Sequence, residues 1–213
     1  IFTHDKKRTF KIIQDTLEQN GYCVFSKIMN TSKYTKVPHN RERTFIMCFL
    51  EGKNAFLDPS MPMSSNFQTL FPPDKINKLD PIKNFLETNE LDEKYYYRQD
   101  KYNYEEIRKS VTKTDTFYQW RRVYVRENKS GVCPTLTANM GTGGHNVPLI
   151  KDDYGIRKLS PRECFNLQGF PKNFKFPDDV PNTQLYKQAG NSVTVAMIKK
   201  IAEIIYKVLD NSK

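Results

Sequence analysis

Residues 5–50, DKKRTFKIIQDTLEQNGYCVFSKIMNTSKYTKVPHNRERTFIMCFL, contain the pattern that decides the fold class. Near its start, Phe10, Ile13 and Leu17 recur at the spacing of one helical face. Asn20-Gly21 then supplies the left-handed residue at which such helices end. This pattern predicts an amphipathic helix over residues 5–20.

Two predicted strands follow the helix. Tyr22–Met29 is rich in aromatic and β-branched residues, and Thr44–Leu50 is almost wholly apolar. An apolar run of the second kind predicts a strand that is buried on both faces. Helix, strand, polar loop and strand form an α/β pattern, although these elements alone make too small a sheet to close a core.

Two more helices are predicted towards the C-terminus. Ser160-Pro161-Arg162-Glu163 forms a capping box with proline at the first helical position, and it predicts a short helix to Leu167 that Gly169-Phe170-Pro171 terminates. The last helix has Asn191 or Ser192 as its predicted N-cap and carries an apolar stripe that needs a partner surface. The stripe consists of Val193, Met197, Ile198, Ile201, Ala202, Ile205, Val208 and Leu209.

The middle of the chain has weaker patterns. Residues 51–93 are rich in proline and acidic residues, which predicts a long, ordered connector. Tyr95–Val125 mixes aromatic and basic residues without a helical or strand period. Irregular strands and loops are therefore predicted there.

The composition limits the classes of partner. Lys and Arg number 34 against 24 Asp and Glu, and the resulting net charge of +10 favours a polyanion such as nucleic acid. No apolar run is long enough to span a membrane and the first residues do not resemble a secretory signal, so we expect an intracellular, cytoplasmic protein. The four cysteines lack zinc-ligand spacing, which predicts free thiols and no metal site.

Two arginines precede the apolar strand. In His39-Asn40-Arg41-Glu42-Arg43 the arginines are two positions apart, so in an extended chain they point the same way. Such a pair could grip two oxygens of a nucleotide or an active-site carboxylate. Two solvated arginines at a strand edge would also explain the pattern.

Two glycine-containing segments could approach a ligand closely. Thr135–Asn146 alternates small polar residues with glycines, and its hydroxyls and amides could serve phosphates or base edges. Gly190-Asn191-Ser192 lies before the last helix, where free backbone N–H groups could receive a carboxylate or phosphate. Plain loop chemistry and ordinary helix capping explain these segments about as well.

Four signatures occur in a set order along the chain. They are Val37–Arg43 before an apolar strand, Thr135–Ala138, Arg157–Cys164 with Gln168–Pro171, and Tyr186–Val193. In order and spacing they resemble the C-terminal half of bacterial DNA cytosine-5 methyltransferases, over essentially the whole chain. The resemblance implies an α/β fold: a fragment of a doubly wound methyltransferase sheet plus a small, irregular, β-rich target recognition domain.

The resemblance implies roles for individual residues. The family's Gln-x-Arg-x-Arg motif falls on His39, Arg41 and Arg43, so Arg43 is expected to help hold a flipped-out cytosine and Arg41 to support that catalytic site. His39 stands where the family usually has Gln, which leaves a supporting hydrogen bond open. Asn191 and Ser192 are expected to line a pocket for S-adenosylmethionine.

Contacts with double-stranded DNA are expected in the target recognition region, residues 88–150. Arg162 and Glu163, by contrast, are expected to be mostly structural. The expected DNA contacts are Arg121, Arg122, Arg126, Thr135, Thr137, Asn139, Gly141, Gly143 and Gly144.

Three parts are expected along the chain. Residues 1–50 would complete a catalytic domain, residues 51–190 would form the connector and recognition domain, and residues 191–213 would return to the catalytic domain. The family's Pro-Cys nucleophile, its Phe-x-Gly-x-Gly cofactor turn and its Glu-Asn-Val motif do not occur, and the first residues resemble the stretch after the last of these.

The missing motifs lead to a functional hypothesis. Methylation of cytosine C5 requires an attacking thiolate and a positioned methyl donor. We therefore expect the chain alone to be inactive and to work with an N-terminal methyltransferase polypeptide or domain, within a restriction-modification system. A stand-alone DNA-binding module, an inactive remnant and an aromatic-rich binder of RNA or single strands are the alternatives.

Overall fold

The computed structural model of the protein describes residues 5, 8–50, 70–73, 78–101, 103–121, 123–141 and 147–210. The helices are α1 (Arg8–Gln19), α2 (Thr31–Tyr34), α3 (Tyr104–Ser110), α4 (Pro161–Leu167), α5 (Asn182–Asn191) and α6 (Val195–Asp210), with 3-10 turns at Ile82–Phe85 and Glu93–Tyr95. The strands are β1 (Tyr22–Asn30), β2 (Glu42–Leu50), β3 (Phe117–Arg121), β4 (Tyr124–Asn128), β5 (Leu149–Asp152) and β6 (Gly155–Lys158). This mixture of helices and sheets confirms the predicted α/β class.

The N-terminal helix and the two strands after it form where the sequence predicts them. α1 ends before Gly21, whose φ of +79° is the left-handed conformation that favours glycine. β1 and β2 pair antiparallel, beginning with Tyr22 opposite Leu50. The expected burial of the second strand on both faces is wrong for the described residues, because Met47 and Phe49 are the buried members of β2 and alternate along it.

The last helix packs on this hairpin. Met197 and Ile201 of α6 share one apolar core with Phe25 of β1 and Phe49 of β2. The C-terminal helix and the N-terminal hairpin are therefore one packed unit. The wider division of the chain into three parts stays a prediction.

The start of α6 differs from the sequence prediction. Asn191 is the last residue of α5 and Ser192 is the C-cap of α5, so neither is the N-cap of α6, which begins at Val195. The Val195 N–H donates to the carbonyl of Gln168 at 2.8 Å. The first N–H of α6 is therefore bonded to Gln168, which belongs to neither α5 nor α6. The residues around the start of α6 could not reveal this bond, because its acceptor is distant in the sequence.

A four-stranded antiparallel sheet, in the order β4-β3-β5-β6, lies in the middle of the chain. It occupies part of the region predicted as irregular strands and loops, which also contains α3. α3 was missed because Ile107 is its one buried residue, so no apolar period marks it. Ile107 packs with Tyr118 and Leu149 in a small core.

The predicted capping box is confirmed at the start of α4. The Glu163 N–H donates to Ser160 Oγ at 3.2 Å, and the Ser160 N–H donates to the Glu163 carboxylate at 2.8 Å. The Arg162 guanidinium lies over the ring of Phe176, 3.8 Å from its centroid. These contacts give Arg162 and Glu163 structural partners, in line with the expectation for both.

Most of the predicted connector, residues 51–69 and 74–77, lies outside the described residues. Its described remainder contains the 3-10 turn Ile82–Phe85, and the Glu87 N–H donates to the Glu163 carboxylate at 2.9 Å. In the part of the chain that the structure describes, no helix has the length and apolar character needed to cross a membrane.

Candidate catalytic and DNA-contacting site

The segment before β2 is hydrogen-bonded to the loop after β4 (residues 133–141, hereafter the 133–141 loop). The Cys133 N–H donates to the Pro38 carbonyl at 2.7 Å, and the Asn40 N–H donates to the Cys133 carbonyl at 2.8 Å. The Thr135 hydroxyl donates to the Asn40 carbonyl at 2.6 Å. Two signatures that are far apart in the sequence therefore meet in one site.

His39 is fully buried between this loop and α4. The Leu136 N–H donates to His39 Nε2 at 3.3 Å, so Nε2 is the acceptor and Nδ1 carries the proton. Nδ1 donates to the Leu167 carbonyl, 3.2 Å away. Burial, together with the charge of Arg41, lowers the pKa of His39 to about 3 and keeps the imidazole neutral. The supporting hydrogen bond left open by the sequence is therefore present.

Arg41 is buried and joins the 133–141 loop to the end of α5. Its guanidinium donates to the carbonyls of Leu136 at 3.0 Å, Gly190 at 2.9 Å and Ser192 at 2.5 Å. Burial, together with the charge of Arg43, lowers its pKa to about 10, so Arg41 stays charged at neutral pH. Within the described part of the chain, its Nε has no hydrogen-bond partner.

Arg43 lies in a different environment from Arg41. It is exposed, sits opposite Met29 in the β1–β2 register, and donates to the Glu42 carbonyl at 2.7 Å. The sequence predicted that both arginines would point the same way, as they would within one strand. Arg41 instead precedes β2 and turns into the interior, so Arg43 is the guanidinium that solvent and a ligand can reach.

The 133–141 loop exposes small polar groups. The Thr137 hydroxyl donates to Asn139 Oδ1 at 2.8 Å, and Asn139 is exposed. A Cβ on Gly141 would lie 2.7 Å from Tyr186 Cδ2, so glycine is needed there for close packing. Gly143 and Gly144 lie outside the described residues.

The end of α5 also touches this loop. A Cβ on Gly190 would collide with the backbone of Thr137, which explains why the helix carries glycine at that point. The next residue, Asn191, is exposed. The Ser192 hydroxyl donates to the Ala189 carbonyl at 2.9 Å, leaving its oxygen able to accept a further bond.

Two of the three predicted basic DNA contacts, Arg121 and Arg126, lie on the β3–β4 hairpin. Arg121 is exposed at the end of β3, and Val123 at the turn is 81% exposed. Arg126 donates to Gln119 Oε1 at 2.7 Å within the hairpin. Arg122 lies outside the described residues. Strand pairing places the hairpin in the four-stranded sheet, whereas Arg41 joins the 133–141 loop to the end of α5.

A buried polar network that sequence reasoning missed supports the site. The hydroxyls of Thr31 and Thr194 are 2.9 Å apart, and Thr194 donates to Gln168 Oε1 at 3.2 Å. Gln168 Nε2 donates in turn to the Ala189 carbonyl at 2.7 Å. Of these residues, Gln168 alone could have been recognised from the sequence, because it lies within one of the family signatures. Thr31 and Thr194 belong to no sequence pattern that would predict a shared network.

A family model for C-5 cytosine-specific DNA methylases matches residues 1–207 of the chain. The chain belongs to the C-5 cytosine-specific DNA methylase family. Among curated proteins, it is 50% identical over 205 residues to the Type II methyltransferase M.Bsp6I of Bacillus sp. (strain RFL6), covering 96% of this chain and 61% of that protein. It is 33% identical to M1.ScrFI of Lactococcus lactis subsp. cremoris, covering 99% of this chain and 50% of that protein. The chain thus spans 50–61% of the length of these relatives.

Solved structures share the fold of this chain. The Dnmt2 methyltransferase of S. pombe matches with a TM-score of 0.63 at 16% identity, over 99% of this chain and 63% of that one. The Entamoeba histolytica methyltransferase EhMeth matches with a TM-score of 0.61 at 19% identity, over 98% of this chain and 60% of that one. The expected methyltransferase fold is therefore confirmed.

Three of the four cysteines of this chain, Cys48, Cys133 and Cys164, are disfavoured as nucleophiles. None of the four follows a proline, as the family's nucleophile does. Cys133 and Cys164 are fully buried, and burial raises the pKa of both thiols well above its ordinary value. Burial also raises the pKa of the partly exposed Cys48 thiol. The thiolate form, which attacks carbon, is therefore disfavoured at these three positions.

Proposed function

We propose that this chain is the DNA-recognition and C-terminal portion of a DNA cytosine-5 methyltransferase in a restriction-modification system. An N-terminal methyltransferase polypeptide or domain supplies the Pro-Cys nucleophile. Together they transfer a methyl group from S-adenosylmethionine to C5 of a flipped-out cytosine in a specific duplex site. The observation that carries this proposal is the pairing of a buried Arg41, bonded to the 133–141 loop, with an exposed Arg43 two residues on.

The two arginines divide the work at the target base. Arg43 donates to an oxygen of the extruded cytosine and steadies it, since its guanidinium is accessible. Arg41 holds the backbone around that position through its three carbonyl partners. Arg43 thus contacts the substrate and Arg41 sets the geometry.

Duplex DNA is held by two elements of the recognition region. Arg121 and Arg126 of the β3–β4 hairpin contact phosphates, because exposed guanidinium groups bind them well. Thr137 and Asn139 of the 133–141 loop present hydroxyl and amide groups to base edges. Arg122, Thr135, Gly141, Gly143 and Gly144 complete the proposed contacts.

S-adenosylmethionine, which supplies the activated methyl group, is shared with the N-terminal part. This chain contributes the exposed amide of Asn191 and the Ser192 hydroxyl, whose oxygen can still accept a hydrogen bond. Arg41 fixes the backbone on either side of Asn191 through the carbonyls of Gly190 and Ser192. The position of Asn191 and Ser192 at the end of α5 keeps the cofactor site next to the 133–141 loop.

The exposed apolar side chains support an N-terminal partner. Of the twelve large apolar residues that are exposed in the described chain, eight fall within residues 10–50 and 193–209. A partner that docks on α1, the β1–β2 hairpin, and α6 with the residues just before it would bury them. The eight are Ile12, Ile28, Leu50, Val193, Val195, Ile198, Tyr206 and Leu209.

Reconstitution tests the proposal. The chain is mixed with the N-terminal part of M.Bsp6I that it does not cover, and methyl transfer from labelled S-adenosylmethionine to duplex DNA is measured. We expect transfer from the mixture and none from either part alone. Arg43→Ala abolishes transfer, whereas the control Arg108→Ala, on the exposed face of α3, does not.

Three outcomes would contradict this function. Methyl transfer by the chain alone would show that one of its own cysteines attacks the base. Duplex binding by a monomeric chain, by light scattering, with no transfer from the mixture would favour the stand-alone DNA-binding module. Binding confined to single strands would favour the aromatic-rich binder.

A further inference from the structure

We propose that His39 is a positioning residue whose neutral imidazole holds the 133–141 loop in the orientation in which it contacts DNA. The proposal rests on the proposed function. It concerns the one position of the arginine motif at which this chain departs from the family's usual glutamine.

His39 constrains the 133–141 loop through Leu136. Its N–H donates to His39 Nε2 at 3.3 Å, and its carbonyl accepts from the Arg41 guanidinium at 3.0 Å. Leu136 is fully buried, whereas Thr135 and Thr137 on either side are partly exposed. Fixing both backbone polar groups of this residue therefore sets the direction of the two flanking hydroxyls.

The other end of the imidazole is anchored in a rigid part of the fold. His39 Nδ1 donates to the carbonyl of Leu167, the last residue of α4. α4 begins with a capping box and is held by the buried pair of Arg157 and Glu163. The carbonyl at this helix end needs a partner outside the helix, and His39 provides one.

The donor and acceptor on one ring define which residues can replace His39. A neutral imidazole offers one N–H and one lone pair, and a glutamine amide offers both functions as well. Leucine has a comparable size but offers neither. Asparagine has the same amide on a shorter side chain, which is expected to reach one partner and not both.

The test uses the chain with its N-terminal partner polypeptide and compares wild type, His39→Gln, His39→Leu and Ile150→Ala. Ile150 is fully buried in the same core as Leu136 and serves as the matched control for lost stability. For each protein, kcat, the KM for duplex DNA, the KM for S-adenosylmethionine and the Tm are measured.

The expected result is a split between the two substrates. His39→Leu raises the KM for DNA about tenfold and leaves the KM for S-adenosylmethionine within about twofold, because the His39 side chain bonds the loop and α4 and makes no hydrogen bond to the end of α5. His39→Gln stays within about threefold of wild type for both. Ile150→Ala lowers the Tm but keeps the wild-type KM for DNA.

Three results would overturn the inference: an unchanged KM for DNA in His39→Leu, an equal rise in Ile150→Ala, or equal rises for both substrates. If His39→Leu does not fold, His39→Asn takes its place with the same expected direction. A wild-type mixture without methyl transfer contradicts the proposed function. In that case the affinity of each variant for duplex DNA tests the role of His39, and His39→Leu is expected to bind DNA more weakly than His39→Gln. Absence of duplex binding by the wild type overturns both.

Discussion

The Arg157 guanidinium donates to both oxygens of the Glu163 carboxylate, at 2.8 and 2.7 Å, and neither side chain is exposed. Its Nε donates to Asp152 at 2.5 Å, while Glu163 also accepts from the N–H groups of Glu87 and Ser160. Every nitrogen of this guanidinium and both carboxylate oxygens are therefore bonded. The pair ties the four-stranded sheet to α4 and to the described end of the connector.

Removing one partner of this pair should destabilise the protein strongly. Glu163→Ala leaves the Arg157 charge buried with Asp152 as its one carboxylate, so we expect the free energy of unfolding to fall by about 3–5 kcal/mol. Urea denaturation measures the loss. Glu105→Ala, which breaks the exposed pair with Arg108, is the control and should cost less than about 1 kcal/mol.

Arg41→Ala should lower stability, whereas Arg43→Ala should abolish activity with little effect on stability. Arg41→Ala leaves three backbone carbonyls without their donor, so we expect it to lower the free energy of unfolding by about 2–4 kcal/mol. Arg43→Ala, at an exposed position, should change it by less than about 0.5 kcal/mol while abolishing methyl transfer by the reconstituted enzyme. Thermal unfolding beside the transfer assay checks this, and equal losses of stability would contradict it.

Gly190 should tolerate no side chain. Gly190→Ala places a Cβ into the backbone of Thr137, so we expect a loss of about 1–3 kcal/mol and a displaced 133–141 loop. The control is Asn191→Ala, one residue further on the same helix and exposed, which should leave stability nearly unchanged. Urea denaturation of both variants makes the comparison, and a stable Gly190→Ala protein would refute the close approach.

His39 should make the protein sensitive to acid. Its pKa is lowered to about 3 in the folded protein, against 6.5 as its ordinary value. Between these values the unfolded chain binds a proton that the folded chain excludes, so stability falls as the pH drops from about 6.5 towards 3. The slope attributable to His39 approaches about 1.4 kcal/mol per pH unit. Urea denaturation at several pH values should show a steeper loss of stability in wild type than in His39→Gln, and the difference between the two slopes is the contribution of His39.

Arg121 should contribute a phosphate contact without base preference. We expect Arg121→Ala to weaken duplex binding similarly for different sequences and to reduce the slope of log affinity against log salt concentration by about 0.9. Fluorescence anisotropy over a range of salt concentrations measures the slope. Arg108→Ala is the control for the loss of one surface charge, and an unchanged slope in Arg121→Ala would remove the hairpin from the DNA interface.

The sequence by itself determined the elements whose signals are local. The helical spacing ahead of Gly21, the capping box at Ser160 and the apolar stripe of the last helix each depend on residues within a few positions of one another. The four ordered signatures also identified the family that the model match over residues 1–207 confirms. The sequence did not predict α3, because a helix with one buried residue has no apolar period to detect.

Only the tertiary structure decided which of these residues face inward and what they touch. Arg41 bonds Leu136 and Ser192, 95 and 151 positions away, and His39 bonds Leu167, 128 positions away. Spacing rules place both arginines alike, because they count positions along one chain segment. The burial of Arg41 and the exposure of Arg43 depend instead on packing against distant segments, since a buried donor must find its acceptors wherever the fold brings them.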